Sequence, residues 1–186
     1  MYKKVFISHS KDDPHLDFFH KVFSGIATES IWMELENLTS PPYACIREKL
    51  NQCDAVFVLL SKHILSKPHT ANWVSFEIGL AANRQVSTML TRKKGLDVYV
   101  FEPLSERIDF AVPYCTYYMP YYDRGIDEIQ YIKELIRDAP LHRKGFKVQC
   151  PHYDCRLEFK LLTNVEVLAC PSCRKDFTIM PEEIEI

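Results

Sequence analysis

Residues 54–61 read DAVFVLLS, six consecutive apolar side chains between an acid and a hydroxyl. A strand that is apolar at every position, rather than at alternate ones, needs cover on both faces, as a central parallel strand buried by helices does. Working outward, KKVFIS (3–8) and SIWMEL (30–35) are strand candidates before it, and LDVYVFE (96–102) is one after it. Between them the apolar spacing becomes helical: Leu16, Phe19, Val22, Phe23 and Ile26, then Tyr43, Ile46, Leu50 and Cys53. A helix is expected over 71–86, and Ile126, Ile129, Ile132 and Ile136 mark a last one. Strand and helix alternate, which predicts an α/β protein: an open parallel sheet with helices on both faces.

Composition narrows the function classes. The chain of 186 residues is 47% hydrophobic and 26% charged, as soluble globular proteins are. Its longest apolar run, AVFVLL at 55–60, falls far short of the ~20 residues that cross a bilayer, so no membrane role is expected. MYKKVFISHSKDD holds too few consecutive apolar residues for a secretory signal, which points to the cytoplasm. A net charge of -2 gives no field to draw nucleic acid.

After Ala139 and Pro140 the pattern changes to a basic linker, LHRKG, and then to strand-like runs. The expected organisation is a first domain over 1–140, with linker and appendage over 141–186. CPHYDC and CPSC place Cys150, Cys155, Cys170 and Cys173 as two pairs 14 residues apart, around the alternating runs LEFKL and VEVLA. Two knuckles at the ends of a β-hairpin would bring four thiolates to one tetrahedral centre, a zinc ribbon. His152 is an alternative ligand, and four cysteines are preferred. With all four positions filled by protein the zinc is structural, since no place is left for water. About 40 residues cannot bury enough core without such a staple. Residues 146–186 hold five basic and seven acidic side chains, so a protein contact suits this segment better than nucleic acid. The other cysteines of the chain, Cys45, Cys53 and Cys115, are scattered through the first segment, and the odd total of seven disfavours a disulfide framework.

Ligands of open sheets bind beyond the carboxyl ends of the strands. Here those loops are SHSKDD, ELENLTSPP and SKHILSKPHTAN, the last leading into NWVSFEIGLAA (72–82). Glu77 stands in that run between Phe76 and Ile78, with no basic residue at 73, 74, 80 or 81. With Asn72 as N-cap, it lies just past the turn in which a helix dipole favours an acid. Asp12 and Asp13 before Pro14 read as the cap of the first helix, and the tyrosines at 114, 117, 118, 121 and 122 as core and rim packing.

The succession VFISHSKDD, SIWMELENL, AVFVLLSKHIL and NWVSFEIGLAA resembles a TIR (Toll/interleukin-1 receptor homology) domain of bacterial or archaeal type over residues 3–138. FISHS resembles the family's first box, ELENL the start of its BB loop, and Trp73 with Glu77 the motif of members that cleave NAD. The resemblance implies a flavodoxin-like fold and an NAD glycohydrolase or cyclase with Glu77 catalytic. It implies substrate contacts from Trp73, Ser8, His9, Ser10 and Lys11, with Lys11 at the pyrophosphate, and from Glu34 and Glu36. Self-association through TIR surfaces and a place in prokaryotic antiviral immune signalling are also implied. Ser40, Pro41 and Pro42 depart from the family's loop, where glycine is usual. The rivals are a noncatalytic TIR scaffold acting by homotypic assembly, and an α/β domain that takes another nucleoside.

Such chemistry suits a lone carboxylate. Nicotinamide leaves as an already cationic pyridinium, so positive charge grows at the ribose, where a carboxylate stabilises it. Water as acceptor yields ADP-ribose, and a hydroxyl of the same nucleotide yields a cyclic product. Trp73, one turn before Glu77, would exclude water and fix the carboxylate.

Overall fold

In the computed structural model, which describes residues 2–32, 42–91, 96–122, 126–142, 145–163 and 165–179, strand and helix alternate from the start. β1 (Tyr2–Ser8) leads through α1 (Leu16–Phe23) to β2 (Ala27–Trp32), and α2 (Pro42–Gln52) leads to β3 (Ala55–Leu59). α3 (Lys62–Ser66) and α4 (Pro68–Thr91) lead to β4 (Asp97–Pro103), and β5 (Tyr117–Tyr121) precedes α5 (Ile126–His142). These strands pair in the order β2-β1-β3-β4-β5, all parallel. This is the flavodoxin-like doubly wound order, in which the winding reverses between β1 and β3 and opens a crevice at their carboxyl ends.

The two-residue period of the strands sorts their side chains into two cores. Phe6, Val56, Val58, Val98, Val100 and Tyr118 face α2, α3 and α4, meeting Ile46, Leu50, Ile64, Val74, Ile78 and Ala81. Val5, Ile7, Phe57, Leu59, Tyr99, Phe101 and Met119 face the other way, onto Phe19, Val22 and Phe23 of α1 and Ile132 and Ile136 of α5. Residues 55–60 are apolar throughout because successive positions belong alternately to the two cores. Phe57 alone meets the rings of Phe23, Tyr99 and Phe101 at centroid distances of 4.8, 4.9 and 5.6 Å.

The segment after residue 140 adds to this sheet. Residue 140 lies inside α5, and Gly145 then turns the chain into β6 (Phe146–Gln149). Gly145 has φ +107°, and a Cβ there would sit 3.0 Å from the Leu161 carbonyl oxygen and 3.0 Å from a Leu162 methyl. β6 pairs antiparallel with β7 (Glu158–Leu161), and β7 pairs parallel with β5, extending the sheet to seven strands. Val148, Phe159, Leu161, Leu168 and Ile179 are continuous with the core beneath α2–α4. LEFKL and VEVLA do not form one hairpin: the first supplies β7, and the second supplies β8 (Val167–Ala169), paired with β9 (Asp176–Thr178).

Three local expectations shift. α1 begins at Leu16, not behind Pro14; Asp13 instead accepts the backbone N–H of His15 at 2.8 Å, forming a turn before the helix. α4 begins at Pro68, whose missing N–H costs nothing at a first helical position, so Asn72 is inside the helix and caps nothing. The tyrosines at 117, 118 and 121, read from the sequence as core and rim packing, belong to a strand, β5, despite the proline in YYMPY. Pro120 stands beyond the two residue pairs that join β5 to β7, so its lost donor breaks no ladder there.

Candidate functional site

The alternation that puts Phe6 against α4 puts Ser8 on the same face, at the last position of β1 and at the mouth of the crevice. On α4, Val74, Ile78 and Ala81 form the buried stripe, and Glu77 falls within it, 7% exposed. The two polar side chains meet: Ser8 Oγ donates to Glu77 Oε2 at 2.5 Å. Among the described residues no cation pairs with Glu77, and burial pushes its carboxyl up to about 7, the Ser8 hydrogen bond pulling it part of the way back. A carboxyl in that condition is divided between its two protonation states near neutral pH, the condition of a group that handles charge or protons.

Of the other expected residues, those described lie on the loop after β1 and on α4, each with partners of its own. Trp73 is half-buried one turn before Glu77, donating its indole N–H to His69 Nε2 at 2.8 Å and lying edge-on to Phe76. His9 follows Ser8, its Nδ1 donating to the Ile7 carbonyl at 3.3 Å, and its ring meets the edge of Trp32. Ser10 is buried, and its carbonyl accepts the Asp13 N–H, while Lys11 is exposed. Asp12 pairs with Lys67, just before α4, tying the loop after β1 to the helix that carries Glu77. Glu34 and Glu36, with Ser40 and Pro41, lie outside the described residues. Trp32 was not singled out in the sequence, yet it ends β2 with His9 on one side and His20 stacked at 3.9 Å on the other.

A second site gathers at the tail. Cys150 and Cys155 flank the turn between β6 and β7, and Cys170 and Cys173 the turn between β8 and β9. Their four sulfurs lie within 4.8 Å of one another, with Cys150–Cys173 at 3.8 Å and Cys155–Cys170 at 3.7 Å. Thiolates each ~2.3 Å from one tetrahedral metal stand about 3.8 Å apart, whereas a disulfide needs ~2.05 Å. The donor set and spacing therefore suit a metal. In each knuckle the residue after the second cysteine, Arg156 or Arg174, takes the left-handed conformation, at φ 53° and 60°. Backbone bonds shape the turns: Cys155 N–H to the His152 carbonyl at 3.0 Å and Arg174 N–H to the Cys170 carbonyl at 2.9 Å.

Fold and sites together define a doubly wound α/β protein with a buried carboxyl at its switch point and a four-cysteine cluster capable of holding a metal. No protein-family model matches the chain, and no curated protein matches it significantly. No helix among the described residues is long and apolar enough to cross a membrane.

Proposed function

We propose that this chain is a TIR-like NAD glycohydrolase or cyclase, with Glu77 catalytic and one structural zinc held by Cys150, Cys155, Cys170 and Cys173. The observation that carries the reading is the Glu77 carboxyl, buried at the crevice between β1 and β3, held by Ser8 and with no cation beside it among the described residues. A buried acid with no cation beside it among the described residues is costly to ionise, and a cationic substrate is what offsets that cost.

In this reading Ser8 fixes Oε2, and Oε1 faces the ribose. The bond between the anomeric carbon and the nicotinamide nitrogen breaks, and its electron pair neutralises the pyridinium. The ionised carboxylate stabilises the cation left on the ribose, and water or a ribosyl hydroxyl adds to that carbon as its proton passes to Glu77 or solvent. His9, Ser10 and Lys11 stand where the nucleotide would lie. Self-association and a role in prokaryotic antiviral immune signalling come with the TIR resemblance. Zinc at the knuckles would supply folding energy and no reaction step.

Separating the products of NAD by mass after incubation with the pure chain tests the reading. Nicotinamide together with ADP-ribose or a cyclic isomer supports it. Intact NAD at the highest attainable protein concentration, where any assembly has formed, favours the noncatalytic scaffold.

A further inference from the structure

The tail does more than sit on the sheet edge. Arg174, directly after Cys173, is buried, and its guanidinium grips Glu102 with two bonds, Nη1 to Oε2 at 3.0 Å and Nη2 to Oε1. Glu102 is buried near the carboxyl end of β4 and also accepts the Tyr118 hydroxyl of β5 at 2.8 Å. The knuckle and the start of β9 also hold the β4–β5 connection, at one point each. The Pro171 carbonyl accepts the Val112 N–H at 2.7 Å, and Asp176 pairs with Arg107 at 2.9 Å. That connection in turn reaches α3 through Glu106 and Lys62, 2.8 Å apart. Beside Glu102, the Phe101 carbonyl takes the N–H of Leu60, at the start of the loop into α3.

We propose that the four-cysteine centre is a metal-dependent lock on the rim of the sheet: with metal bound, its second knuckle presents Arg174 to Glu102 and pins the β4–β5 connection against α3. The inference rests on the metal-binding reading of the cysteines. An arginine in the left-handed region is strained by its own Cβ, so its backbone holds that shape only while the knuckle is closed around it. When the ligands separate, Arg174 relaxes toward extended backbone and withdraws its guanidinium. Glu102 is then a buried carboxylate without a cation, among the most destabilising situations in a protein interior. The carboxyl end of β4 opens to water, and the contacts of the connection with α3 loosen with it. Metal loss at the tail is thereby felt beside the crevice.

Hydrogen exchange of the full chain, with and without a chelator under reducing conditions, tests the lock. In the wild type, chelation should speed exchange over β4, residues 97–103, by about tenfold or more, together with exchange over 146–179. The double variant Glu102→Gln/Arg174→Met carries no buried charge there and keeps an acceptor for Tyr118. In it, chelation should still open 146–179, and with it the Val112 contact of the connection, but change 97–103 by less than about twofold. An equal response of 97–103 in both proteins overturns the proposal, as does no response in the wild type or a folded chain that holds no metal. NAD cleavage is not read, so the lock and the catalytic reading fail separately.

Discussion

Replacing Glu77 with glutamine should change the pH dependence of stability in a defined way. In the unfolded chain the carboxyl gives up its proton near 4.5, while in the folded chain burial holds the proton to about 7. The native state therefore binds the extra proton between those values, and the wild type loses stability as pH rises through that window. At ~1.4 kcal/mol per unit, the full loss above pH 7 is about 3 kcal/mol, and at pH 5 it is under about 1 kcal/mol. Glutamine does not titrate, so its chain escapes the loss. Its amide can still accept from Ser8, but its buried N–H groups carry a cost of about 1–3 kcal/mol that is the same at every pH. The prediction is thus in the slope: the stability of Glu77→Gln relative to wild type should improve by about 2–3 kcal/mol between pH 5 and pH 8. Paired urea titrations across that range measure it, and melting would show a relative gain of roughly 5–10 °C. Parallel pH profiles of the two proteins would refute the reasoning, because Glu77 would then titrate normally in the folded chain.

Gly145→Ala should cost about 2 kcal/mol or more, since a Cβ there meets the Leu161 carbonyl oxygen at 3.0 Å on a backbone with φ +107°; a midpoint within about 1 °C of wild type in thermal melts would contradict that. Elemental analysis of the purified chain should find one zinc per chain, and Cys170→Ser should lose it and lower the melting point, while metal below about half an equivalent in a folded chain counts against a structural site. Specific activity should rise with protein concentration, as the TIR resemblance implies, and a flat value over a hundredfold dilution of a monomer would exclude assembly-dependent turnover.

The central strands are legible in the sequence because β3 and β4 meet cover on both faces, which leaves an unbroken apolar run that few other environments select. The helices facing them are legible for the related reason that one stripe carries the burial. β5 is not: Tyr117–Tyr121 holds aromatics that suit a rim as well as a core, and the proline becomes acceptable only because β7 pairs with two residues of the strand. The join between β7 and β5 is likewise invisible to spacing. It depends on Phe159 meeting Tyr118 edge-on at 5.7 Å and on Lys160 N–H reaching the Thr116 carbonyl, contacts across more than 40 residues. The cysteine cluster could be read in advance because the spacing of its ligands is local. Glu77 stood out as an unpaired acid among apolar neighbours, whereas Ser8 as its partner, 69 residues away, needed the fold. Arg174 gave no signal at all, since an arginine after a knuckle cysteine reads as an exposed charge until Glu102 is placed beneath it.

Nicotinamide release from NAD by the purified chain, followed from pH 5.5 to 8.5 beside Glu77→Gln at the same concentration, most directly tests Glu77 as the catalytic carboxylate. The ionised form carries the chemistry, so kcat/KM for the wild type should climb with pH through about 7 and then level off. The glutamine variant, folded as its melting curve shows, should be slower by about two to three powers of ten across the range. Release that the folded variant matches, or no release by the wild type at any pH, would contradict it.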